Sequence, residues 1–266
     1  MSSSRLNAAV TALKRAVGPM IANHATGAVV ARIFRDRIPH RGLTIDTGDP
    51  VVGNDIKAAL FVRGYESSEY RFVRKYVPRH YDVIELGGSL GVVSCTIRRH
   101  LERDRKLVIV EADPRLARLL KRNLELNACD FNVTVENKAI SYSGATEVAF
   151  SLGESSVSGR IAEFGPGLDQ VSVPAISLSR LVQEQGFNDF CLVSDIEGVE
   201  WHIVRHDLAA LAKAKVIVME LHETREHGSV AQLISEILAT KLFRLVDSHG
   251  SVCVFVRDDG GAAGAA

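Results

Sequence analysis

The stretch Tyr-Asp-Val-Ile-Glu-Leu-Gly-Gly-Ser-Leu-Gly, from Tyr81 to Gly91, decides the fold. Its apolar run from Val83 to Leu86 is typical of a buried strand in a parallel sheet. Two adjacent glycines end this run, and the residues from Val92 to His100 have the length of a short helix. A strand, a glycine turn and a helix in this order direct backbone N–H groups and the positive end of the helix towards a ligand. The stretch therefore predicts a central strand that ends in a nucleotide-binding loop.

The spacing of the glycines separates two kinds of loop. The dinucleotide fingerprint is Gly-x-Gly-x-x-Gly, but counting from Gly87 its other two glycine positions hold Ser89 and Val92. The looser pattern acidic-x-Gly-x-x-x-Gly is met by Glu85, Gly87 and Gly91. That pattern is similar to the first motif of methyltransferases that use S-adenosylmethionine. A purely structural turn is the alternative for this motif taken alone.

Composition limits the class of protein. The 266 residues, 46% of them hydrophobic, suffice for one large domain with its own core. The 32 basic residues balance the 32 acidic ones, which argues against a dedicated nucleic-acid binder. The four cysteines show no paired spacing, so we expect buried free thiols in a reducing compartment. No stretch reaches the roughly 18 apolar residues of a membrane span, and no secretory signal is evident, so we expect a cytoplasmic protein.

Strand and helix patterns alternate along most of the chain, which predicts an α/β fold: a doubly wound, mainly parallel, seven-stranded sheet with a C-terminal antiparallel hairpin. Strands are predicted at Tyr81–Leu86, Leu107–Val110, Phe131–Glu136, Phe190–Ser194, Val216–Leu221, Phe243–Val246 and Val252–Val256. Helices are predicted from Ser67 or Ser68, as the N-cap, to Val77, and at Val92–His100, Pro114–Asn127, Ser179–Gln185, Val199–Leu211 and Ser229–Lys241.

Three parts of the chain lie outside this alternation. Arg5–Phe34 has helical spacing, and Gly18-Pro19 divides it into two helices that would form a lid or a dimer arm, or touch an anionic surface. Ile38–Asp55 predicts a loop or short hairpin, and Val148–Ser177 predicts an inserted hairpin or flap. We expect a helical and loop extension over residues 1–55, the main domain over 56–258 and a disordered tail over 259–266.

Polar residues, most of them acidic, follow the predicted strands. Ligands of such sheets bind at the carboxyl ends of the strands. Glu111 follows the second strand about 20 residues after the glycine loop, where a carboxylate can accept hydrogen bonds from both ribose hydroxyls. An exposed carboxylate without a ligand is the alternative. The residues at the predicted ends are Glu85, Glu111, Asn137, Asp195 with Glu197, and Glu220 with His222.

Asp195 and Glu220 should lie on neighbouring strands and converge with His222 on one crevice. Several carboxylates together raise the pKa of one member, which makes it a plausible general base. A magnesium ion is the other way to stabilise them, although we assign no metal ligands. His222 is as well explained as a structural hydrogen-bond partner. We expect Glu200 on a helix surface and Trp201 packed against the sheet, with stacking on a sugar as its alternative.

Three blocks together resemble the FkbM-type methyltransferases. They are Val-Ile-Glu-Leu-Gly-Gly-Ser-Leu-Gly from Val83, Val-Glu-Ala-Asp-Pro from Val110, and Asp-Ile-Glu-Gly-Val-Glu from Asp195. The resemblance extends from about Tyr65 to about Val256. The chain departs from the family in having Glu85 where Asp is usual, Ser89 near a usual Asn, and Val193 where a Lys usually precedes the third block.

The resemblance implies a Rossmann-like methyltransferase fold and methyl transfer from S-adenosylmethionine, most often to a hydroxyl of a sugar or a polyketide-like natural product. It implies Asp195 as the first candidate for the base and His222 as the second, with Glu220 and Glu197 beside them. The implied cofactor-binding residues are Tyr65, Glu66, Glu85, Gly87, Gly88, Ser89, Gly91, Glu111, Ala112, Asn137, Ala139 and Asp195. The N-terminal helices are the candidate contact of a homo-oligomer.

Two other functions remain open at this point. A nicotinamide oxidoreductase would need the missing glycines and a proton-transfer pair of Tyr with Lys, or a His, and we find neither. A binding protein or scaffold that keeps the fold without catalysis is supported by Val193 alone, whereas Glu111, Asp195 and Glu197 argue against it.

Overall fold

The computed structural model of the chain describes residues 23–152, 160–161 and 170–258. The N-terminal region contains α1 (His24–Phe34), β1 (Arg37–His40), β2 (Leu43–Asp46), α2 (Asn54–Val62) and α3 (Ser67–Tyr76). The next part contains β3 (Asp82–Leu86), α4 (Val92–His100), β4 (Leu107–Val110), α5 (Pro114–Leu126), β5 (Val133–Glu136), β6 (Ala139–Ile140), β7 (Glu147–Ser151), β8 (Arg160–Ile161) and β9 (Gln170–Ile176). The last part contains α6 (Leu178–Gln185), β10 (Phe190–Ser194), α7 (Glu200–His206), α8 (Leu208–Leu211), β11 (Ala214–Glu220), α9 (Val230–Ala239), β12 (Phe243–His249) and β13 (Val252–Arg257).

The large sheet has seven strands in the order β12-β13-β11-β10-β3-β4-β5. The five strands from β11 to β5 pair in parallel, and β13 runs antiparallel to both β11 and β12. This confirms the doubly wound, mainly parallel sheet. The C-terminal hairpin differs in one respect: β13 lies inside the sheet and only β12 forms the edge. The crossover through α9 carries the chain one position past β11, and the turn at Gly250 brings β13 back into that position.

Successive residues of the central strands pack on opposite faces of the sheet. Val83 and Val193 belong to a core that includes side chains of α2, α3, α4 and α5. Ile84 and Leu192 belong to a second core, with side chains of α6, α7 and α9. Both cores are apolar because a parallel sheet covered on two faces excludes water from every strand position. The result is a three-layer α/β/α domain.

The start of α3 differs from the prediction. Neither Ser67 nor Ser68 caps the helix. The N-cap is Glu66, which has a left-handed φ of 45° and makes no capping hydrogen bond with its side chain. The Ser68 hydroxyl instead contacts Nδ1 of His249 at 2.9 Å. This partner is distant in the sequence, so a tertiary contact rather than the capping preference of serine determines the position of the Ser68 side chain.

The single helix predicted over Val199–Leu211 is wrong, because the chain forms α7 and α8 with a break at Asp207. The Asp207 carboxylate is buried and accepts hydrogen bonds from the Ser179 amide (2.7 Å) and the Tyr142 hydroxyl (3.0 Å). Asp207 therefore provides a hydrogen-bond acceptor for a backbone amide in the first turn of α6, a different helix. Its own backbone, with φ −134°, has left the regular α-helical conformation.

The predicted hairpin after the N-terminal helices is present as β1 and β2. Asn123 of α5 and Asn127, the C-cap of that helix, bind the free edge of the hairpin. The Asn127 side chain accepts from the Thr44 amide (2.9 Å) and donates to the Thr44 carbonyl (2.8 Å). The Asn123 side chain accepts from the Asp46 amide (2.7 Å) and donates to the Leu90 carbonyl in the glycine loop (3.0 Å). These amides satisfy strand groups that would otherwise lack partners at a buried edge.

The insertion, residues 148–177, contains the antiparallel pair β7 and β9, with β8 beside β7 and β6 beside β9. The predicted hairpin is thus present in the described part of the segment. The predicted helix before Gly18 and the predicted tail lie outside the described residues. The four cysteines are free and buried, as predicted. Within the described ranges, no helix has the length and apolarity that crossing a membrane requires.

His40 makes the stability of this region depend on pH. Its side chain is fully buried, Nδ1 donates to the Leu60 carbonyl (2.7 Å), and Nε2 has no partner. Burial lowers the pKa of His40 from 6.5 to about 4. Because the folded protein favours the neutral ring, the contribution of His40 to the free energy of unfolding is complete above pH 6.5. It is lost as the pH falls towards 4. We expect this effect of His40 to lower the free energy of unfolding by about 2 kcal/mol when the pH is lowered from neutral to ~4.5.

Urea unfolding of the wild type and of His40→Gln at the two pH values tests this. The variant lacks the titrating ring, so the difference in stability between the two pH values should be smaller by that amount. An equal pH dependence in both proteins would contradict the assignment.

Candidate functional site

A cavity lies at the carboxyl ends of β3, β4 and β10, where the strand order changes direction. This is the position at which doubly wound sheets bind ligands. Of the predicted cofactor residues, those lining the cavity are Glu66, Gly87, Ser89, Glu111, Ala112, Ala139 and Asp195. The others do not line it and lie around it as supports, namely Tyr65, Glu85, Gly88, Gly91 and Asn137.

The glycine loop needs its first two glycines for close packing. Gly87 has a φ of +85°, and a Cβ there would lie 1.9 Å from the carbonyl oxygen of Asp195. A Cβ on Gly88 would lie 2.2 Å from Cδ1 of Leu120 in α5. Glycine is thus required by the approach of β10 to one side of the loop and of α5 to the other.

Glu111 is held at the end of β4 by backbone groups. Its Oε2 accepts from the Ser89 amide (2.8 Å) and its Oε1 accepts from the Asp113 amide (2.9 Å). Asn137 donates to the Glu111 and Ala112 carbonyls, at 2.8 and 3.0 Å, and so fixes the adjacent backbone. Burial raises the pKa of Glu111 to about 7, although the two amides act in the opposite direction. The carboxylate is therefore oriented and still lines the cavity, as a ribose acceptor must.

Tyr65 and Glu66 close the opposite side. The Tyr65 hydroxyl is hydrogen-bonded to Oγ of Ser89 (2.9 Å), which fastens the start of α3 to the glycine loop. Glu66 lines the cavity, and its Oε2 is shielded from solvent without a hydrogen-bond partner. Burial, and then the charges of Glu69 and Asp195, raise the pKa of Glu66 well above its ordinary value. A carboxylate oxygen without a partner at this position favours a ligand with a cationic or N–H group.

Glu85 has a different environment from the one that the acidic motif suggested. It is 1% exposed, lies in the middle of the sheet between Ile109 and Val193, and does not reach the cavity. Burial raises the pKa of Glu85 to about 8, and its Oε2 has no hydrogen-bond partner.

Most of the apolar side chains that line the cavity were not predicted from the sequence. This apolar wall is formed by side chains from five separate segments, namely Val110, Leu116, Ile140, Phe150, Ile196 and Val199. Of these, only Ile140 falls in the segment Asn137–Ile140, which the family resemblance leads us to expect beside the adenine ring. Phe150 comes from the insertion, whose alternating pattern predicts strands but not which face meets the cavity. Such a wall can cover the flat faces of a purine.

Asp195 and His222 lie together, as predicted, and Glu200 joins them. Nε2 of His222 is 3.7 Å from Oδ1 of Asp195 and 3.8 Å from Oε2 of Glu197. Nδ1 of His222 lies 3.1 Å from Oε1 of Glu200, whose side chain is fully buried. The surface position predicted for Glu200 is therefore wrong. Glu200 occupies the first turn of α7 but faces inwards, where it also accepts from the Ile196 amide (3.2 Å).

The electrostatics of this group are dominated by acidic neighbours. Burial, followed by the charges of Glu220, Glu197 and Glu200, raises the pKa of Asp195, while His222 opposes the rise. Burial lowers the pKa of His222, but the hydrogen bond to Glu200 and the three carboxylates outweigh it, so the pKa is raised. Trp201 is fully buried, and its Nε1 donates to the His222 carbonyl (3.0 Å), which confirms the packing role.

A second, larger groove adjoins the cavity. Ile140, Glu197 and Val199 line both, so the two spaces meet beside Asp195. The residues that line the groove include eight with hydroxyl or imidazole side chains, namely Ser141, Tyr142, Ser143, His202, His206, His222, Thr224 and His227. This arrangement can place a polar ligand against a ligand in the cavity.

The Methyltransferase FkbM domain matches the chain over residues 81–257. The search of curated proteins found no match. Among solved structures, the O-methyltransferase from Bacillus cereus in complex with SAH is 13% identical, with a TM-score of 0.46 over 92% of this chain and 97% of that one. The ribosomal protein L11 methylase from Lactobacillus delbrueckii is 8% identical, with a TM-score of 0.45 over 73% and 79%. The 23S rRNA methyltransferase ErmE is 16% identical, with a TM-score of 0.40 over 72% and 68%. These values are too low to support a conclusion about the reaction.

Proposed function

The chain belongs to the FkbM family of S-adenosylmethionine-dependent methyltransferases, and from this premise we propose that it methylates a hydroxyl oxygen of a sugar or natural-product small molecule. The observation that carries the proposal is the meeting of two spaces beside Asp195. One is a cavity with an oriented carboxylate and an apolar wall, and the other is a polar groove. A methyl donor and its acceptor need such an arrangement, because the reacting atoms must be held in line.

We assign the cofactor contacts from the side chains that line the cavity. Glu111 would accept hydrogen bonds from the ribose hydroxyls, and the wall that includes Leu116 and Phe150 would cover the adenine ring. Glu66 would receive the amino group of the methionine part, because its Oε2 has no other partner. The bound cofactor supplies a methyl group on a sulfonium, which is already a strong electrophile.

Asp195 is our candidate for the group that takes the proton of the acceptor hydroxyl. It lines the cavity at the point where the groove begins, and its raised pKa suits a base that works near neutral pH. His222, held by Glu200, lies next to it and balances the carboxylate charges. The hydroxyl and imidazole groups of the groove support an acceptor with several hydroxyls.

Two further expectations also remain proposals. The apolar side chains Val29, Ile33 and Phe61 are 58%, 67% and 43% exposed, which supports a homo-oligomer contact at the N-terminal helices. The four buried cysteine thiols support a reducing, cytoplasmic location.

Calorimetric titration of the purified chain with S-adenosylhomocysteine, and separately with NADH, tests the cofactor. We expect micromolar binding of the first and none of the second, with or without Mg²⁺. Transfer of labelled methyl groups to a panel of sugars and polyketides then tests the acceptor. If the folded chain binds neither cofactor, the proposed activity is wrong and the scaffold hypothesis takes its place. Binding of NADH alone would identify an oxidoreductase.

A further inference from the structure

We propose that Asp195, Glu220 and His222 form a binding site for a divalent transition-metal ion. Each residue offers a ligand atom, and these atoms lie within 4.8 Å of one another. Asp195 directly follows β10, Glu220 ends β11 and His222 comes two residues later, and the two strands pair along their length. The three ligands therefore lie at, or within two residues of, the carboxyl ends of adjacent central strands, and such strands hold metal ligands more rigidly than surface loops do.

The orientation of His222 is the first independent argument. A carboxylate oxygen accepts hydrogen bonds, so Nδ1 of His222 is the donor in its 3.1 Å contact with Oε1 of Glu200. Nε2 is the other ring nitrogen and faces Asp195, so a metal ion would bind there in place of the Nε2 proton of the charged ring. In metal sites, the ring nitrogen of a histidine that does not bind the metal usually donates to a group such as a carboxylate. Nδ1 of His222 has such a partner in Glu200.

The spacing of the ligands is the second argument. Oδ1 of Asp195 is shielded from solvent and has no hydrogen-bond partner. Its distance of 3.7 Å to Nε2 of His222 is too long for a hydrogen bond. Two ligands of one ion lie about 3.0–3.4 Å apart when each is about 2.1 Å from the metal, so a small side-chain rotation would bring both atoms into coordination. Glu220 is oriented by the Ser251 hydroxyl, which donates to its Oε1 at 2.6 Å.

The ligand set indicates the kind of ion. One imidazole with two carboxylates suits Mn²⁺, Fe²⁺, Co²⁺ or Zn²⁺, whereas Mg²⁺ prefers oxygen ligands alone. Mg²⁺, the ion considered from the sequence, is therefore the weaker candidate. If the proposed methylation is correct, the ion would lie where the groove meets the cavity and would polarise the acceptor hydroxyl. His222 would then act as a ligand, and the second carboxylate oxygen of Asp195 would remain for the proton.

Metal binding by the full chain tests this without any cofactor. After treatment with EDTA, titration with Mn²⁺, followed by electron paramagnetic resonance, should give one ion per chain. We expect His222→Ala and Glu220→Gln to weaken the affinity about 100-fold, and Glu200→Gln to weaken it about 10-fold through the histidine. Glu223→Gln, a matched change beside His222, should leave the affinity unaltered. Mg²⁺ should compete only in large excess.

The Co²⁺-substituted protein adds a direct readout, because its visible spectrum should change in His222→Ala. Circular dichroism and calorimetry with S-adenosylhomocysteine establish that each variant is folded. Absence of Mn²⁺ and Zn²⁺ binding at millimolar concentration, or equal affinity in the wild type and His222→Ala, would overturn the site. Since methyl transfer is not measured, that result would leave the proposed function standing, and failure of the cofactor titration would leave the metal site standing.

Discussion

Replacement of Asp195 by Asn is expected to lower kcat by about 10²–10⁴-fold, the usual contribution of a positioned base. The amide has the size of the carboxylate but cannot take a proton from the acceptor hydroxyl. The affinity for S-adenosylhomocysteine should change by less than about threefold, because the loss concerns the transition state rather than the bound cofactor. Initial rates with saturating S-adenosylmethionine, together with calorimetry, measure the two effects separately.

Asp189→Asn is the matched control for this variant. Asp189 is the residue before β10, the strand that Asp195 follows. Its side chain is 44% exposed, and its Oδ1 lies 2.9 Å from Nη1 of Arg257. An exposed pair of this kind contributes about 0–1 kcal/mol, so its loss should leave kcat within about twofold of the wild type. If Asp195→Asn turned over as fast as this control, Asp195 would not be the base.

Replacement of Glu111 by Gln is expected to raise the dissociation constant of S-adenosylhomocysteine by about 10–100-fold. One hydrogen bond from a charged group is worth about 1.5–3 kcal/mol, and the amide would replace one acceptor oxygen by a donor. The same amide can still accept from the Ser89 or Asp113 backbone. The fold should therefore survive, and calorimetry can measure the weakened binding.

Glu136→Gln is the comparison for Glu111→Gln, because Glu136 ends the neighbouring strand β5 but does not line the cavity. The dissociation constant of S-adenosylhomocysteine should be the same for Glu136→Gln as for the wild type. Thermal unfolding of both variants distinguishes lost contacts with the ligand from lost stability. An unchanged affinity in Glu111→Gln would remove the ribose assignment.

The sequence predicted the central sheet and much of the site because both depend on local patterns. Strands β4 and β10 have the predicted limits, since the sequence shows each as an apolar run that ends before a carboxylate, and helix α4 begins as predicted directly after Gly91. Asp195 and Glu220 could be placed together because adjacent parallel strands end at one edge. Family motifs supplied the identity of the ligand.

The remaining features depend on partners that are distant in the sequence. Glu200 has the position of a surface residue in a first helical turn, and only the tertiary packing turns it towards His222. Asp207 breaks a helix because it binds the start of another one. Phe150 reaches the cavity through the folding of the insertion. No local pattern specifies these contacts.

The buried Asn123 has a consequence for the cooperativity of the domain. Its one amide joins the hairpin at Asp46, helix α5, and the glycine loop at Leu90. Opening the hairpin would break the bond between the Asp46 amide and Oδ1 of Asn123, and leaving the buried Asn123 oxygen without a partner inside the protein costs about 1–3 kcal/mol. The N-terminal hairpin and the glycine loop are therefore coupled through one side chain of α5. A ligand that orders the loop would also lower the frequency with which the hairpin opens.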